Sequence, residues 1–292
     1  MSFEQILYAS GLLPRDIIPD GKWRRCATAD KPTKRNGAYA LHPDGRGYWQ
    51  NWATDLSVNA WHDATKARAP VNIHEIAIRR AAERDARVKA IKAARTFWAA
   101  AAPMLTLHPY LAKKGLTAEG CAGLRVKDDL LVVPVFWNGA LVSVQTIAPD
   151  GQKRFWPGAP VKAGSVELHR KNAALTAFCE GVATGLAVYQ AVKSARVFVA
   201  FNAGNLGPVV NLCKPTGSVV ICADNDHGTE GRRGVNPGLD KARAAAETIG
   251  AGVAYPEGIE GTDWADALAE IGAGAARKIE RQILAKAVYV FG

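Results

Sequence analysis

The chain has 292 residues, 48% of them hydrophobic, so it can bury a substantial core and is expected to form two or three domains. Its 37 Lys and Arg residues outnumber its 27 Asp and Glu residues, and the formal net charge of +10 suits a nucleic acid or a nucleotide as partner, although solubility alone is an open alternative. No apolar run is long enough to span a bilayer, and no basic segment precedes a signal-type core, so we expect a cytoplasmic protein without membrane contact.

Basic residues are concentrated in the first part of the chain. Residues 1–175 carry 26 basic and 15 acidic side chains, whereas residues 176–292 carry 11 and 12. The basic first part of the chain is therefore the region expected to bind a phosphate backbone.

The cysteines form no metal-binding pattern. The chain lacks a Cys-x-x-Cys pair, and two of the five cysteines lie inside apolar runs. We expect reduced core thiols in a reducing compartment and no zinc site. The five are Cys26, Cys121, Cys179, Cys213 and Cys222.

Residues 1–70 are predicted to form a small β-rich domain. Turn signals at residues 36–37 and 43–47 separate apolar and aromatic strand-like runs at residues 39–41 and 48–52. Trp49, Trp52 and Trp61 alternate here with basic residues that include Arg24 and Arg25, a mixture used to hold single strands. For each tryptophan we favour core packing over DNA contact, so the two arginines are the stronger nucleic-acid candidates.

Residues 71–102 are predicted to form a helical linker. They are rich in alanine, and residues 72–102 lack Gly and Pro. Charge nearly all round the helix favours a bridge between domains over a buried helix. DNA contact by Arg79, Arg80 or Arg87 is an alternative to a solvated face.

Residues 103–174 are predicted to form a basic subdomain of short strands and turns. Asn138-Gly139 is a hairpin signal, with alternating strands on either side. The basic candidates for phosphate binding are Lys153 and Arg154, which precede two aromatic residues, and then Lys113, Lys114, Arg125 and Lys162. Ordinary exposed lysines on a hairpin are the open alternative.

Residues 175–292 are predicted to form an α/β domain in the order strand, helix, strand, strand, helix. The helices are expected at residues 183–192 and 238–248, and a final helix at residues 279–288 after a loose connection at 272–277. Short apolar runs end at Glu180 and at Asp224 and Asp226, and each reads as a buried strand. The alternation predicts a mostly parallel sheet whose carboxyl-end rim collects all three acids.

Three neighbouring carboxylates repel one another unless a cation compensates their charge. Oxygen ligands without Cys or His favour Mg²⁺ or Mn²⁺ over zinc. The alternative is that these acids only cap turns.

The residues at these strand ends resemble the Toprim domain of bacterial, phage and plasmid DNA primases. The resemblance covers Glu180-Gly181, the Asp224-Asn225-Asp226 motif, a glycine turn at residues 202–207 and the run GTDWADAL with Asp263 and Asp266. Where many primases have an acid one turn after Glu-Gly, this chain has Thr184. Residues 22–61 resemble the amino-terminal segment of phage and plasmid primases that is ribbon-like without metal, since the zinc ligands usual in the family are absent.

The resemblance implies a fold and an activity. The fold is a Toprim-type, Rossmann-like, mostly parallel sheet with helices on both faces, preceded by a mixed α+β basic subdomain and the small β-rich domain. The activity is synthesis of short RNA primers on single-stranded DNA from ribonucleoside triphosphates, with two divalent ions held by the acids. No G-x-x-x-x-G-K-[ST] motif occurs, so any helicase is expected to be a separate partner.

The resemblance also implies roles for individual residues. Asp224, Asp226 and Asp263 would bind metal, Asp266 is the weakest candidate ligand, and Glu180 would bind metal or act as a base. Gly181 and Gly204 would let the backbone approach phosphate, and Lys153 and Arg154 would line the groove for template or nucleotide. Two other classes stay open: a Toprim-class metal-dependent nuclease and a non-catalytic single-stranded-DNA-binding protein.

Overall fold

The computed structural model describes residues 1–55, 57–65, 73–225, 227 and 236–291, and of residues 73–76 and 237 only the backbone. The chain divides into two compact units, residues 1–78 and 79–292. The finer division of the sequence, with boundaries at residues 70, 102 and 174, stays a prediction. None of the described helices is long and apolar enough to cross a membrane.

The first unit is a helix followed by an antiparallel sheet. Phe3 and Leu7 of the helix pack with Leu12, Cys26 and Tyr39 to form its core. The five strands pair in chain order. The elements are α1 (Phe3–Ala9), β1 (Leu12–Leu13), β2 (Arg24–Thr28), β3 (Gly37–Leu41), β4 (Arg46–Asn51) and β5 (Asn59–His62).

The three tryptophans considered above as DNA contacts, Trp49, Trp52 and Trp61, differ in environment. Trp49 and Trp61 pack their rings against Phe3, with ring centroids 6.1 and 5.4 Å away. Trp52 is exposed, and the guanidinium of Arg25 lies 4.0 Å from its ring centroid. Of the three rings, Trp52 therefore contributes least to the core.

A long helix, α2 (Ile73–Ala99), spans the boundary between the two units. It closely follows the helix predicted at residues 72–102. Most side chains from residue 77 to residue 89 are exposed.

The second unit begins with an antiparallel sheet in the order β10-β9-β8-β7-β6. Asn138 and Gly139 join its two longest strands with positive φ values of 48° and 77°, as a type I′ hairpin turn requires. The predicted hairpin is therefore present. The elements are β6 (Ala102–Pro103), α3 (Pro109–Lys113), β7 (Arg125–Lys127), β8 (Leu130–Trp137), β9 (Ala140–Ile147) and β10 (Lys153–Phe155).

The rest of the second unit is a mostly parallel sheet in the order β11-β13-β12-β14-β15. Strands β12 to β15 run parallel, whereas β11 and β16 pair antiparallel with β13 and β14. The strands are β11 (Val166–Leu168), β12 (Leu175–Cys179), β13 (Ala195–Val199), β14 (Gly217–Cys222), β15 (Gly252–Ala254) and β16 (Val288–Val290). The helices are α4 (Val182–Ala191), α5 (Ala203–Cys213), α6 (Pro237–Glu247), α7 (Trp264–Ile271) and α8 (Ala275–Leu284).

Helices cover both faces of this sheet. Ala177 and Cys179 of β12 point into one core with α4, α7 and α8, whereas Phe178 points into a second core with α5 and α6. A strand buried on both faces reads as a continuous apolar run, which is why LTAFC is recognisable in the sequence. The predicted fold class is confirmed.

Two parts of the predicted order were wrong. Residues 202–207, expected as a glycine turn, begin helix α5, because Leu206, Val209 and Val210 bury one helical face despite two glycines and Pro208. The last helix begins at residue 275 and ends at residue 284. Residues 288–290 instead pair with β14 as a strand.

Candidate functional site

Two of the predicted acids lie at the same edge of the parallel sheet. Strands β12 and β14 are direct neighbours with Cys179 opposite Cys222. Glu180 follows β12 immediately, Asp224 follows β14 by two residues, and both side chains are half-buried. Asp226 lies outside the described residues, so its predicted position at this edge stays a prediction.

Thr184 holds Asp224 in place. Its hydroxyl donates a hydrogen bond to Oδ1 of Asp224 at 2.9 Å, and the threonine is only 2% exposed. The residue that departs from the common primase pattern is therefore a neutral donor to one of the acids. Its replacement of a carboxylate reduces the negative charge that a metal ion has to balance.

Two glycines begin the helices at this edge. Gly181 is the N-cap of α4 and Gly204 lies in the first turn of α5, and neither cap residue makes a side-chain capping bond. A Cβ at Gly181 would lie 3.7 Å from Thr184 Oγ1, and one at Gly204 would lie 3.4 Å from Asn202 Oδ1. Neither glycine has a positive φ or a close contact that excludes a side chain, so the open backbone N–H groups suit an approaching phosphate.

Lys153 reaches this site from the antiparallel sheet. Its Nζ lies 4.0 Å from the position that a Cβ would take at Gly181, and 5.8 Å from the ring centroid of Tyr110. The edge strand β10 thus brings a cation to the N-terminus of α4. Arg154 pairs with Thr146 on β9 and, by strand alternation, points to the opposite face.

Lys114 binds both downstream acids that the sequence suggests as metal ligands. Its Nζ lies 2.9 Å from Oδ2 of Asp263 and 2.8 Å from Oδ1 of Asp266. Lys114 follows helix α3, which buried His108 caps by accepting a hydrogen bond from the N–H of Tyr110. The three side chains keep 18–30% of their surface exposed.

The two acids also form the capping box of α7. Oδ1 of Asp263 accepts from the N–H of Asp266, and Oδ2 of Asp266 accepts from the N–H groups of Thr262 and Asp263. All four carboxylate oxygens therefore have hydrogen-bond partners. To bind a metal ion, either acid would have to exchange Lys114 or a backbone donor for the ion, so their predicted ligand role stays a prediction.

The electrostatics of this cluster stabilise its charged form. Burial alone lowers the pKa of Lys114, but its hydrogen bonds to Asp266 and Asp263 raise the pKa well above the usual range. Burial likewise raises the pKa of Asp266, but the hydrogen bonds from Lys114 and Thr262 lower it below the ordinary value. The lysine is therefore a fixed cation at neutral pH.

Three other predicted basic residues, Lys113, Arg24 and Arg25, are at least partly exposed. Lys113 is exposed in the last turn of α3. In the first unit, Arg24 donates to Asp20 at 2.7 Å, and Arg25 donates to the carbonyl of Arg35 at 2.6 Å while stacking on Trp52.

The donor chemistry at the strand ends fits a hard divalent ion. Among the described residues, which leave out Asp226, no three His, Cys, Asp or Glu side chains converge on one point. Burial and the adjacent Cys222 raise the pKa of the Cys179 thiol well above its usual value, which favours the neutral thiol in the metal-free protein. Glu180 and Asp224 offer only oxygen, as Mg²⁺ and Mn²⁺ prefer.

Asn205 is a structural feature that the sequence interpretation missed. It is 4% exposed, its Oδ1 accepts from the N–H of Ala163 at 2.7 Å, and its Nδ2 donates to Gly164 and Ala200 carbonyls at 2.9 Å. It fastens the loop before β11 to the start of α5. A polar residue between two glycines in an apolar helix was the available signal.

Comparison with known proteins identifies the class of this domain. Residues 176–274 match the Toprim domain family. They include the strand-end acids, the first turns of α4 and α5, and the capping box of α7. The parallel-sheet part of the second unit is therefore similar to a Toprim domain.

Sequence relatives narrow the resemblance to DNA primases. DNA primase TraC of Escherichia coli is 30% identical over 259 residues, which are 82% of this chain and 24% of that protein. A second Escherichia coli DNA primase TraC is 30% identical over 258 residues, 82% of this chain and 18% of its own length. The chain thus spans a quarter or less of these relatives, and its predicted resemblance to Toprim-domain DNA primases is confirmed.

The similarity to solved structures is weaker than the similarity to the sequence relatives. The primase fragment of the bacteriophage T7 primase-helicase protein has a TM-score of 0.44 and 15% identity, covering 63% of this chain and 78% of that one. The DnaG primase catalytic domain bound to ssDNA has a TM-score of 0.41 and 14% identity, covering 70% and 83%.

Proposed function

We propose that this chain is a DNA primase that makes short RNA primers on single-stranded DNA. The observation that carries the proposal is the arrangement of Glu180 and Asp224 at the ends of adjacent parallel strands, beside the open N-terminus of α4 and the ammonium of Lys153. Acids for metal binding and donors for phosphate are the two parts that nucleotidyl transfer requires. The relatives named DNA primase support the same activity.

Glu180, Asp224 and Asp226 are the proposed ligands of two Mg²⁺ or Mn²⁺ ions. When bound, such ions supply charge neutralisation at the triphosphate and at the leaving pyrophosphate. Thr184 orients Asp224 through its 2.9 Å hydrogen bond. The proposed role of Glu180 is either to bind metal or to accept the proton of the attacking 3′-hydroxyl.

The protein's own donors bind the nucleotide. The N–H groups at the start of α4 and α5, which no side chain caps, hold phosphate oxygens. Lys153 adds a full positive charge next to Gly181. These donors orient the ribonucleoside triphosphate and stabilise the negative charge that develops on its phosphates during transfer.

The template partner is single-stranded DNA. Lys113, Arg154, Arg24 and Arg25 are proposed phosphate contacts, since all four are basic and none is buried. A replicative helicase, if one is needed, is proposed as a separate subunit.

Incorporation of labelled ribonucleotides on single-stranded DNA without added primer tests the proposal. We expect short products from the unaltered chain, and at least a hundred-fold less from Asp224→Asn, which keeps the side-chain shape and removes the charge. Asp240→Asn, an exposed acid on α6, is the matched control and should keep full activity.

Two other results identify the competing functions. Degradation of the template by the unaltered chain, lost in Asp224→Asn, would identify a Toprim-class nuclease. Intact DNA binding without any product or degradation would identify a binding protein.

A further inference from the structure

The outer face of the antiparallel sheet carries an aromatic surface. Phe97 near the end of α2 packs against Trp156, which follows β10, with ring centroids 4.9 Å apart at 43°. Beneath them lie Ala101, Val132 and Val144, which are buried. Phe97 and Trp156 are only half-buried, so this ring pair presents an apolar surface to solvent.

Lysines surround the ring pair. An open cavity of about 590 Å³ lies over it. We call this cavity and its lining residues the α2 shelf. None of the described residues that line the cavity is acidic. It is lined by Lys89, Lys92, Ala93, Thr96, Phe97, Ala100, Lys127 and Trp156.

The three lysines are placed to act on an anion. Lys89 and Lys92 are exposed on α2. Nζ of Lys127 lies 5.9 Å from the ring centroid of Phe97 and 3.5 Å from the carboxylate of Asp128, which is 78% exposed and so screened by water. The shelf therefore keeps a net positive charge.

Aromatic rings edged by cations match single-stranded nucleic acid. Each base has an apolar face that stacks on an aromatic side chain, while the phosphates bind lysine or arginine. A duplex offers no free base faces to the rings, and an acidic protein segment would use the charges but leave the rings without a stacking partner. The combination of both features favours a single strand.

Strand β10 lies between the shelf and the proposed catalytic site, which are on opposite faces of its sheet. This strand is at the edge of its sheet, and its residues alternate between the two faces. Lys153 faces the N-terminus of α4, whereas Arg154 faces the same side as Val144, the side of the shelf. Lys153 and Trp156 are three positions apart, about 10 Å along an extended chain.

We propose that the α2 shelf binds single-stranded DNA by stacking bases on Trp156 and Phe97 and holding phosphates with Lys89, Lys92 and Lys127. The inference rests on the proposed function only in taking this strand to be the template. Binding at the shelf uses no metal ion and no acid of the strand-end site. The two proposals therefore fail independently.

The test is fluorescence anisotropy of a labelled 20-nucleotide oligo(dT) with the full chain in EDTA, at several salt concentrations. For Lys89→Ala/Lys92→Ala we expect weaker binding and a slope of log K against log salt that is smaller by about 1.4, because each phosphate contact on a single strand contributes about 0.7. Lys241→Ala/Lys278→Ala removes the same charge from exposed sites on α6 and α8 and should leave the slope unchanged.

Substitutions of Trp156 test whether DNA bases stack on its ring. For Trp156→Leu we expect a loss of roughly 5- to 150-fold in affinity, equivalent to about 1–3 kcal/mol for one stacked base, while Trp156→Phe stays within about threefold of the unaltered chain. Circular dichroism checks that each variant is folded. The exposed lysine pair tests the proposal even if Trp156→Leu does not fold.

Two results would overturn the proposal. In the first, Lys89→Ala/Lys92→Ala changes the affinity and the salt slope no more than the control pair Lys241→Ala/Lys278→Ala does. In the second, a folded Trp156→Leu binds as tightly as Trp156→Phe. Asp224→Asn should bind oligo(dT) normally in EDTA, so a failure of catalysis alone leaves the shelf proposal standing.

Discussion

Replacing Lys114 by methionine should destabilise the second unit by about 2–3 kcal/mol. The ammonium makes hydrogen bonds of 2.9 and 2.8 Å to two carboxylates in a cluster that is 18–30% exposed. Breaking a fully buried pair costs about 3–5 kcal/mol and an exposed pair 0–1 kcal/mol, so a partly buried pair of bonds lies between them. Methionine has a side chain of similar length, so the loss of stability measures the contribution of the ammonium group and not of packing.

Urea denaturation and thermal melting provide the measurement. For a unit of this size, 1 kcal/mol corresponds to about 2–4 °C, so Lys114→Met should lower the melting temperature by roughly 4–12 °C. Lys113→Met is the matched control, because Lys113 is the adjacent exposed lysine, and it should change stability by less than about 0.5 kcal/mol. In a double-mutant cycle, Lys114→Met with Asp266→Asn should cost less than the sum of the two single changes.

The pH dependence has a defined sign. Because the folded-state pKa of Asp266 is lowered, its contribution is present above the ordinary carboxyl pKa and is lost as the pH falls through the lowered value. The difference between the unaltered chain and Lys114→Met should therefore shrink below about pH 4. A loss below 0.5 kcal/mol at pH 7, or additive effects in the cycle, would refute the reasoning.

Three further predictions concern Thr184, Gly181 and two buried thiols. Thr184→Val removes the bond to Asp224 and should weaken Mg²⁺-dependent incorporation roughly ten-fold or more, with oligo(dT) binding in EDTA unchanged. Gly181→Ala should raise the KM for nucleotides while costing less than about 1 kcal/mol in stability, because its Cβ meets nothing within 3.7 Å; an unchanged KM would contradict phosphate binding there. Burial raises the pKa of Cys121 and Cys213 to about 11, so a thiol reagent at pH 7 should label them slowly in the native chain and rapidly in urea.

Much of the fold could be predicted because burial leaves a strong local signal. LTAFC and GSVVIC read as strands since both faces of each are buried, and Asn138-Gly139 reads as a hairpin since both residues adopt positive φ. Helix α5 was missed because its glycines and Pro208 signal a turn, whereas burial of Leu206 and Val209 overrides that preference. Intrinsic helix propensity predicts secondary structure poorly where tertiary packing determines it.

The candidate site was predictable only in part. Strand-end acids share a rim by sheet geometry, so Glu180 and Asp224 could be placed together from the sequence. The partners of Lys114 could not, because Asp263 and Asp266 are 149 and 152 residues away along the chain. The same holds for the approach of Lys153 to Gly181, which depends on how two sheets pack.

The most direct test of the central claim compares primer synthesis by the unaltered chain, Glu180→Gln and Asp224→Asn on single-stranded DNA with ribonucleoside triphosphates and Mg²⁺ or Mn²⁺. The account predicts short, alkali-sensitive products from the unaltered chain and at least a hundred-fold less from both variants, all three binding oligo(dT) equally in EDTA. Equal product from the variants, or no RNA product from the unaltered chain with either metal, would contradict it.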